Sequence, residues 1–385
     1  MPPVAAVITK PCKQGKNAVN ETVLQFGSGK FLRAFADLFV HHANQQGQNI
    51  GKIVIVQSTG DDRANELAKL GCIYHVVLRG LDNGQVVDRV EICESVSRAL
   101  AANTQWNQVL EVARSPHLKT ILSNTTESGY DLNAADTANC APPKSFPAKL
   151  LAVLRERFKA GQPGLMIIPC ELRENNAELL RSILLKIAHE WKLDADFIGW
   201  IVNSCSWHNT LVDRIVTGTP DQHPLLAQDP MLTVCEPYAL FAIQEILGVK
   251  RWIEHPAVIW TNDVLPFFLR KVRILNGGHS GMVHKAIAKG YTTVRDSVND
   301  KELGPWLEKL LFNEIVPIIE GRCDDPKGFA VQVIERFKNP FIDHKLTDIL
   351  INHENKIKVR LIPSQEDYVK KFGIRPTNLD EVLGK

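Results

Sequence analysis

The segment Glu21-Thr-Val-Leu-Gln-Phe-Gly-Ser-Gly29 and the residues that follow it decide the predicted fold. Residues 21–26 form a short apolar run typical of a buried strand, and apolar residues then recur at helical spacing over 31–39. Between them, Gly27 permits a tight turn, and Gly29 removes the side chain where a pyrophosphate would have to come close. The N-terminus of the helix would supply free N–H groups to the same anion. The segment therefore predicts the first strand–helix unit of a dinucleotide-binding sheet.

Two parts of the usual nucleotide fingerprint are missing. Leu32 stands where a third glycine is expected, and Gln57-Ser-Thr59 follows the second predicted strand where an acidic residue would bind the ribose. Arg33, one turn into the helix, is predicted to place a cation near phosphate. The sequence favours NAD and leaves NADP open, and a glycine turn with a purely structural role remains the alternative.

Strands and helices alternate through the first two thirds of the chain. Apolar runs at 52–57, 120–123 and 165–169 predict further strands, and helical patterns cover 100–113, 148–159 and 177–193. This alternation predicts an α/β class with a doubly wound sheet. After about residue 260, helical periodicity dominates at 271–289, 303–319, 330–337 and 344–351. We predict a flexible lead-in over 1–20, a dinucleotide-binding domain over 21–261, and a mainly helical substrate and catalytic domain over 262–385.

Composition excludes several classes of function. The 385 residues include 45 basic and 43 acidic ones, a formal net charge of +2, which gives no electrostatic reason to expect nucleic acid or an anionic membrane. The eight cysteines are scattered singly, without a CxxC pair, so no zinc ribbon or redox motif is predicted. No secretory signal and no long apolar run is present. We expect a cytoplasmic protein with reduced thiols and without a bound metal.

A small polar segment, Asn124-Thr125-Thr126-Glu127, follows the third predicted strand. Ligands of a doubly wound sheet bind at the carboxyl ends of its strands, so these residues are predicted to contact the nucleotide. An N-terminal cap for the next helix is the structural alternative.

The segment Arg270-Lys-Val-Arg-Ile-Leu-Asn-Gly-Gly-His279 carries the predicted chemistry. On a regular α-helix, Asn276 lies about 140° and His279 about 80° from Lys271 around the helix axis. Gly277 and Gly278 cost about 1 kcal/mol each in helix propensity, which suggests close approach of a cofactor, a substrate or another backbone. A shielded lysine can exchange a proton with an alcohol, while asparagine and histidine stabilise the oxyanion. Alternatively, the lysine is solvated and the histidine belongs to the core or surface.

Six ordered motifs give the chain its family resemblance. They are Leu24–Phe35, Ser123-Asn-Thr-Thr-Glu127, Ile167-Ile-Pro-Cys-Glu-Leu172, Leu211-Val-Asp-Arg-Ile-Val-Thr-Gly218, 270–279 and Arg336-Phe-Lys-Asn-Pro340. In these motifs the chain resembles the mannitol dehydrogenase family of polyol-specific long-chain dehydrogenases, and in particular its members that interconvert altronate and tagaturonate.

The resemblance implies a Rossmann-type domain, a mainly helical C-terminal domain, NAD as cofactor and no metal. It implies Lys271 as general acid and base, with Asn276 and His279 as oxyanion and substrate contacts. Asn176 and Lys356 are implied as further substrate contacts, the second suited to a uronate carboxylate. Family members usually continue with further helices beyond the segment matching 361–363, so the helical domain is expected to be shorter than usual here. The implied cofactor contacts are Phe26, Gly27, Gly29, Lys30, Phe31, Arg33 and 124–127.

Several alternatives stay open at this stage. Within the class, the chain could act as a fructuronate reductase or mannitol 2-dehydrogenase. Outside it, a non-catalytic relative could bind a nucleotide or sugar acid without turnover. A zinc alcohol dehydrogenase would rest on Cys205 and His208 alone, a pair that suits the core better. Asp213 and Arg214 could form an ion pair or contact a ligand.

Overall fold

The central feature of the computed structural model is a six-stranded parallel sheet. The model describes residues 20–82, 84–125 and 127–384, so nearly all of the predicted lead-in lies outside the described residues. The sheet consists of β1 (Glu21–Phe26), β2 (Lys52–Gln57), β5 (Val96–Ala101), β6 (Thr120–Ser123), β7 (Met166–Pro169) and β8 (Ser206–Trp207). Its order is β5-β2-β1-β6-β7-β8, with every neighbouring pair parallel. In sequence order this is the 3-2-1-4-5-6 arrangement of a Rossmann fold, which confirms the predicted class.

Helices cover both faces of this sheet. They are α1 (Lys30–Arg33), α2 (Ala36–Gln45), α3 (Asp62–Lys69), α4 (Ala102–Arg114), α5 (Phe146–Lys159), α6 (Asn176–Glu190) and α7 (Ala195–Asn203). Side chains alternate across the sheet: Val23 and Ile53 belong to one buried cluster, and Leu24 and Val54 to the other. Burial on both faces explains why the strands appear in the sequence as continuous apolar runs.

The first helix differs from its prediction. The periodic stretch after the glycine turn is not one helix, because Phe35 has φ −134° and ψ −99° and separates α1 from α2. The ring of Phe35 is fully buried between Phe39 and Phe241, at 4.7 and 5.2 Å between ring centroids. Apolar spacing alone does not reveal this break, since the same side chains are buried on either side of it.

Two smaller sheets were not predicted. One contains β3 (Tyr74–Asp82), β4 (Gln85–Cys93), β10 (Val216–Gly218) and β11 (Thr233–Cys235), and the other β9 (Thr210–Asp213), β12 (Leu240–Gln244) and β13 (Val258–Thr261). The end of β9 is important for the site, because it enters the space between the main sheet and the helices that follow.

Past residue 264 the described chain is helical. It contains α8 (Leu265–Arg270), α9 (Gly277–Ala288), α10 (Val294–Val298), α11 (Leu303–Lys309), α12 (Val316–Ile319), α13 (Pro326–Phe337), α14 (Leu346–Leu350), α15 (His353–Arg360), α16 (Ile362–Phe372) and α17 (Thr377–Leu383). Two π-helical segments, Lys271–Asn276 and Leu310–Ile315, interrupt the series. The last two helices belong to the same packed region, since Leu379 of α17 is fully buried. No helix among the described residues has the length and apolar character needed to cross a membrane.

Candidate functional site

A large cleft separates the carboxyl edge of the main sheet from the helical region. Its volume is about 1510 Å³. Phe31 and Asn124 line it from the sheet side, and Lys271 and Lys356 line it from the helical side. Asn124 follows β6, and Gly27 follows β1, the two strands between which the order of the sheet reverses. The cleft therefore opens at the switch point where ligands of this fold bind.

Lys271 is fixed at the wall of the cleft by a backbone group of β9. Its Nζ donates a hydrogen bond to the carbonyl oxygen of Val212 at 2.7 Å. The next residue, Asp213, is fully buried; burial acts to raise its carboxyl pKa, but the positive charges of Arg336 and Lys271 outweigh that effect and lower it. The Lys271 amine thus lies beside the Val212 carbonyl and near the buried Asp213 carboxylate. These two groups of β9 hold the amine in place.

The π-helical segment aligns Lys271 with the two residues predicted to assist it. In a π-helical turn the hydrogen bonds close one residue later than in an α-helix, so the turn takes up one extra residue. Asn276 and His279 therefore lie where the fourth and seventh residues after Lys271 would lie in an uninterrupted α-helix. Those positions are about 40° and 20° from the first residue, since each residue adds about 100°. The sequence-based angles for a regular α-helix were wrong, and the three residues form one stripe.

Asn276 and His279 are buried behind Lys271 and carry polar atoms that the described protein leaves unsatisfied. Neither Nδ2 of Asn276 nor Nε2 of His279 has a hydrogen-bond partner among the described residues. The His279 ring stacks on Phe337 at 4.1 Å, and His344 packs edge-on against it at 4.7 Å. Burial, followed by the nearby His344 and by surrounding cations, holds the pKa of His279 well below its usual value. The ring is therefore a neutral group.

The two glycines of this stripe have ordinary side-chain neighbours. A Cβ at Gly277 would lie 3.6 Å from Ile315 Cδ1, and one at Gly278 would lie 3.4 Å from the Phe337 ring. The nearest atoms are mainly side chains of packed helices at ordinary contact distances, so neither glycine is required by a close approach of another backbone.

The glycine turn after β1 is shaped by the neighbouring strand. Gly27 has φ +135°, and a Cβ there would lie 2.8 Å from the carbonyl oxygen of Asn124. A Cβ at Gly29 would meet nothing within 4 Å, so the turn leaves open space at that point. Phe26, in contrast, contributes no side chain to the cleft, since its ring is fully buried against Phe146. A nucleotide contact from Phe26 could come only from its backbone.

The predicted cations of the turn are directed elsewhere. The Arg33 guanidinium is buried, donates to the carbonyl oxygen of Met231 and lies over the Tyr74 ring. Lys30 Nζ donates to the carbonyl oxygen of Thr217 at 2.9 Å. Arg33 therefore has a structural role in the nucleotide domain, and the phosphate contact predicted for it stays a prediction. The four-residue length of α1 also weakens the predicted anion site at a helix N-terminus.

The segment after β6 is held by a buried glutamate that the sequence reading did not select. Glu171 accepts hydrogen bonds from Ser123 Oγ at 3.0 Å, from the amide and hydroxyl of Thr125 at 2.9 and 3.0 Å, and from Tyr130 OH at 3.2 Å. Burial raises the pKa of Glu171, against the lowering effect of these donors. Asn124 Nδ2 donates to the carbonyl oxygen of Cys170 at 2.7 Å. Among the predicted contacts here, Thr126 lies outside the described residues, and Glu127 begins a short 3₁₀ helix that ends at Tyr130.

Asn176 joins two strands behind the cleft. Its Nδ2 lies 3.0 Å from each of three acceptors, the carbonyl oxygens of Pro169 and Glu171 and the hydroxyl of Thr210, and its Oδ1 accepts from the Thr210 amide at 2.9 Å. The exposed fraction of the residue is 1%. The amide therefore links β7 to β9, and the substrate contact implied for it stays a prediction.

Lys356 lines the cleft and also hydrogen-bonds a carbonyl group near the C-terminal end of α14. Its Nζ donates to the carbonyl oxygen of Ile349 at 2.9 Å, near the end of α14, where a cation is favourable. Its predicted role toward a carboxylate stays a prediction.

A buried ion cluster joins the helical region to the sheet region directly behind Lys271. Arg336 makes a bidentate pair with Asp213, both distances being 3.0 Å, and also pairs with Glu236 at 2.6 Å. Of the two alternatives for the Asp213-Arg214 segment, the ion pair is formed by Asp213, with Arg336 as its partner. Arg214 instead donates to the carbonyl oxygens of Ala34 and Glu236 at 2.8 and 2.9 Å.

Sequence reasoning missed three groups at this site: Glu171, Arg336 and the ring pair Phe337–His344. Arg336 and Phe337 stand in a motif quoted for the resemblance, but nothing in the spacing reveals that they pack beneath Asp213 and His279. The zinc alternative has no support either, since His208 bonds Gln244 O at 2.7 Å and Ser206 Oγ at 3.0 Å. In the described part of the chain no cluster of metal-ligating side chains is found.

Comparison with known proteins assigns both halves of the chain. A family model described as the mannitol dehydrogenase Rossmann domain matches residues 21–253, and one described as the mannitol dehydrogenase C-terminal domain matches residues 263–384. The chain is 38% identical to an altronate oxidoreductase of Halalkalibacterium halodurans over 93% of its own length and 73% of the relative. It is 35% identical to an altronate oxidoreductase of Bacillus subtilis, over 93% and 77% of the two chains.

A solved structure supports the fold independently. The ternary complex of Pseudomonas fluorescens mannitol 2-dehydrogenase with NAD and D-mannitol superposes with a TM-score of 0.81 at 22% sequence identity. The match covers 94% of this chain and 77% of the other.

Proposed function

The chain belongs to the mannitol dehydrogenase family, and from that premise we propose that it interconverts D-altronate and D-tagaturonate with NAD, using Lys271 as general acid and base. The observation that carries the proposal is the position of Lys271. Its amine is held on the Val212 carbonyl at the wall of a cleft that opens at the switch point of the sheet. The altronate oxidoreductases at 35–38% identity support the substrate assignment.

The residues at the sheet edge fit a dinucleotide. The backbone turn at Gly27–Gly29 leaves open space beyond Gly29 that a side chain would fill, and Phe31 and Asn124 line the adjoining wall. We assign the pyrophosphate to that turn and the nicotinamide end to the wall near Asn124. When bound, the nicotinamide supplies or accepts the hydride. Because Arg33 is turned away and Gln57 bonds Asp62 and the Ala64 amide, we assign no residue that selects NAD over NADP.

Lys271 would move the proton that accompanies the hydride. In reduction the ammonium gives a proton to the carbonyl oxygen as the carbonyl carbon takes the hydride, and in oxidation the neutral amine takes the hydroxyl proton. The Val212 carbonyl fixes the amine in place. Asn276 and His279, on the same helical stripe, supply hydrogen bonds to the substrate oxygen; their unsatisfied Nδ2 and Nε2 atoms support this assignment.

The carboxylate of the sugar acid is assigned to the helical side of the cleft. Lys356 is the proposed contact, and Asp348 beside it would select against a second anion there. The division of labour follows: residues 21–261 hold the cofactor, and residues 262–385 supply the proton and bind the substrate. We place this chemistry in the cytoplasm.

The experiment is a spectrophotometric assay at 340 nm with the purified chain. NADH and NADPH are each offered with D-tagaturonate, D-fructuronate and D-fructose, with and without a chelator. The proposal expects tagaturonate with NADH to give the highest kcat/KM, unaffected by the chelator. Preference for fructuronate or fructose would move the chain elsewhere in its family. Cofactor binding without turnover of any substrate would support the non-catalytic alternative, and loss of activity in chelator would support a metal.

A further inference from the structure

Two histidine pairs of the same geometry lie along α9. His279 meets His344 edge to face, with ring centroids 4.7 Å apart and an interplanar angle of 80°. His284, further along the helix, meets His353 at 4.5 Å and 79°. Among the described residues the first pair alone has a third ring, since Phe337 stacks on His279 with 4.1 Å between ring centroids and an interplanar angle of 22°. The helix α9 therefore carries His279, which contacts two rings in the proposed site, and His284, which contacts the ring of His353 outside it.

The groups around the first pair are mostly cationic. Around His279, burial and His344 lower the pKa most, with Arg360, Arg336 and Lys356 as further positive neighbours. Burial lowers the pKa of His344 to about 4; Asp348 acts in the opposite direction, and Lys30 and Lys356 add to the lowering. A proton on either imidazole would meet the other ring, the cations and little solvent.

The loop that carries His344 is anchored on both sides. The backbone carbonyl of His344 accepts from the Val294 amide at 2.9 Å, and the Leu346 amide donates to the carbonyl oxygen of Thr292 at 2.9 Å. Nδ1 of His344 has no hydrogen-bond partner in the part of the chain that the structure describes. The ring is thus held by its backbone and by its contact with His279, not by a polar side-chain partner at Nδ1.

We propose that His344 is a positioning residue of the active site: with Phe337 it clamps the ring of His279 and seals it from water, so that His279 meets the substrate as a neutral hydrogen-bonding group. The inference rests on the proposed function for the role of His279. A protonated His279 would add a second cation on the stripe of Lys271 and would lose its acceptor nitrogen. The clamp therefore leaves Lys271 as the group whose protonation governs turnover.

The test compares His344→Ala, His344→Phe and the control His353→Ala, which removes a ring from the second pair. The first readout is kcat/KM for tagaturonate with NADH between pH 5 and 9. Opening the clamp in His344→Ala should return the pKa of His279 toward about 6.5, so that activity at pH 5.5 falls about tenfold more, relative to pH 8, than in the parent. His344→Phe keeps a ring in place and should keep the parental profile, as should His353→Ala.

A second readout does not depend on turnover. In protein labelled at the histidine Cε1 position, the His279 resonance is identified by its loss in His279→Gln. It should stay constant from pH 5 to 8 in the parent and in His344→Phe, and should titrate in His344→Ala. A constant resonance and an unchanged profile in His344→Ala would overturn the inference and leave His344 a packing residue. If the parent turns over no sugar acid, the proposed function fails while the resonance still decides the role of His344.

Discussion

Two asparagines, both predicted as ligand contacts, show how differently the two walls of the cleft are built. We define the sheet wall as Asn124 and Glu171, which line the cleft, together with Thr125 and Asn176, which are not part of its lining. The amide of Asn176 is bonded to three oxygens and one backbone amide of the protein. We define the helix wall as residues 271–279, a segment that lines the cleft at 271–273. Asn276 is buried further along this segment, and its Nδ2 has no partner among the described residues.

The difference teaches where a ligand is needed. A buried polar atom without a partner costs about 1–3 kcal/mol, so an unsatisfied atom close to the cleft is a candidate for a hydrogen bond to a ligand. The sheet wall satisfies its own groups and acts as a scaffold, and the helix wall leaves Asn276 and His279 incomplete.

The largest effect is expected at Lys271. Lys271→Ala removes the amine held on Val212 and should lower kcat by about two to four orders of magnitude, because no neighbouring group replaces a general acid and base. NADH affinity, followed by the quenching of protein fluorescence, should change little. A variant that keeps a tenth of the parental kcat would remove Lys271 from the mechanism and the helix wall from its chemical role.

A large effect on stability, without a direct effect on chemistry, is expected at Arg336. Arg336→Gln leaves the buried carboxylates of Asp213 and Glu236 without their cation, and the free energy of unfolding should fall by about 3–5 kcal/mol. The matched control is Arg251→Gln, whose pair with Glu245 is solvent-exposed and should change stability by about 0.5 kcal/mol or less. Urea unfolding of both variants measures the difference, and equal losses would mean that the cluster behind Lys271 is not a structural joint.

The contrast itself is tested by the same substitution at both asparagines. Asn176→Ala breaks the bonds between β7 and β9 and should cost about 2–3 kcal/mol of stability while kcat/KM stays within a few-fold. Asn276→Ala removes an unsatisfied atom, so stability should change by less than about 1 kcal/mol, whereas kcat/KM should fall about 10²-fold. Steady-state kinetics and urea unfolding are needed for both variants. If the two behave alike, unsatisfied atoms do not mark the ligand side of this cleft.

The sequence reveals those parts of the fold and the site that depend on local patterns, and it does not reveal those that depend on distant partners. Buried parallel strands such as residues 52–57 are continuous apolar runs, so β1, β2, β6 and β7 were predicted, whereas β5, β8 and the order of the strands were not. The strands of β3 and β4 were missed because Val86 and Val90 are exposed and the hairpin lacks a continuous apolar run. The catalytic role of Lys271, Asn276 and His279 stays a prediction, and their alignment could not be read from the sequence, because nothing in the local sequence marks the π-helical turn.

Arg33 and Asn176 show the limit of choosing ligand contacts from the residue type alone. Both residue types suit a ligand, and both were assigned to ligand contacts from the sequence, yet the protein itself supplies hydrogen-bond partners to each. Arg33 donates to Met231 O, and Asn176 is bonded on all sides. These partners come from segments far apart in the chain, so only the tertiary structure distinguishes a scaffold amide from a catalytic one.

The smallest effect is expected on the pH dependence of stability, through a buried carboxyl group in the core behind the sheet wall. Asp37 is fully buried in α2, and burial raises its pKa to about 7, against the lowering hydrogen bond from Tyr74 OH at 2.8 Å. The folded state therefore holds a proton that the unfolded chain has already released above about pH 4. Stability from this group is complete below that pH and is lost as the pH rises through about 7.

Asp37→Asn stays neutral at every pH and should remove this dependence. Relative to the parent, the variant should gain about 1–2 kcal/mol more at pH 8 than at pH 5, as measured by urea unfolding at both values. Because Asp37 lies in the core and not on the cleft, KM for tagaturonate and for NADH should be unchanged at pH 7. Parallel stability curves would mean that Asp37 is ionised in the fold, and a changed KM would mean that the scaffold and the ligand side of the cleft are not separable.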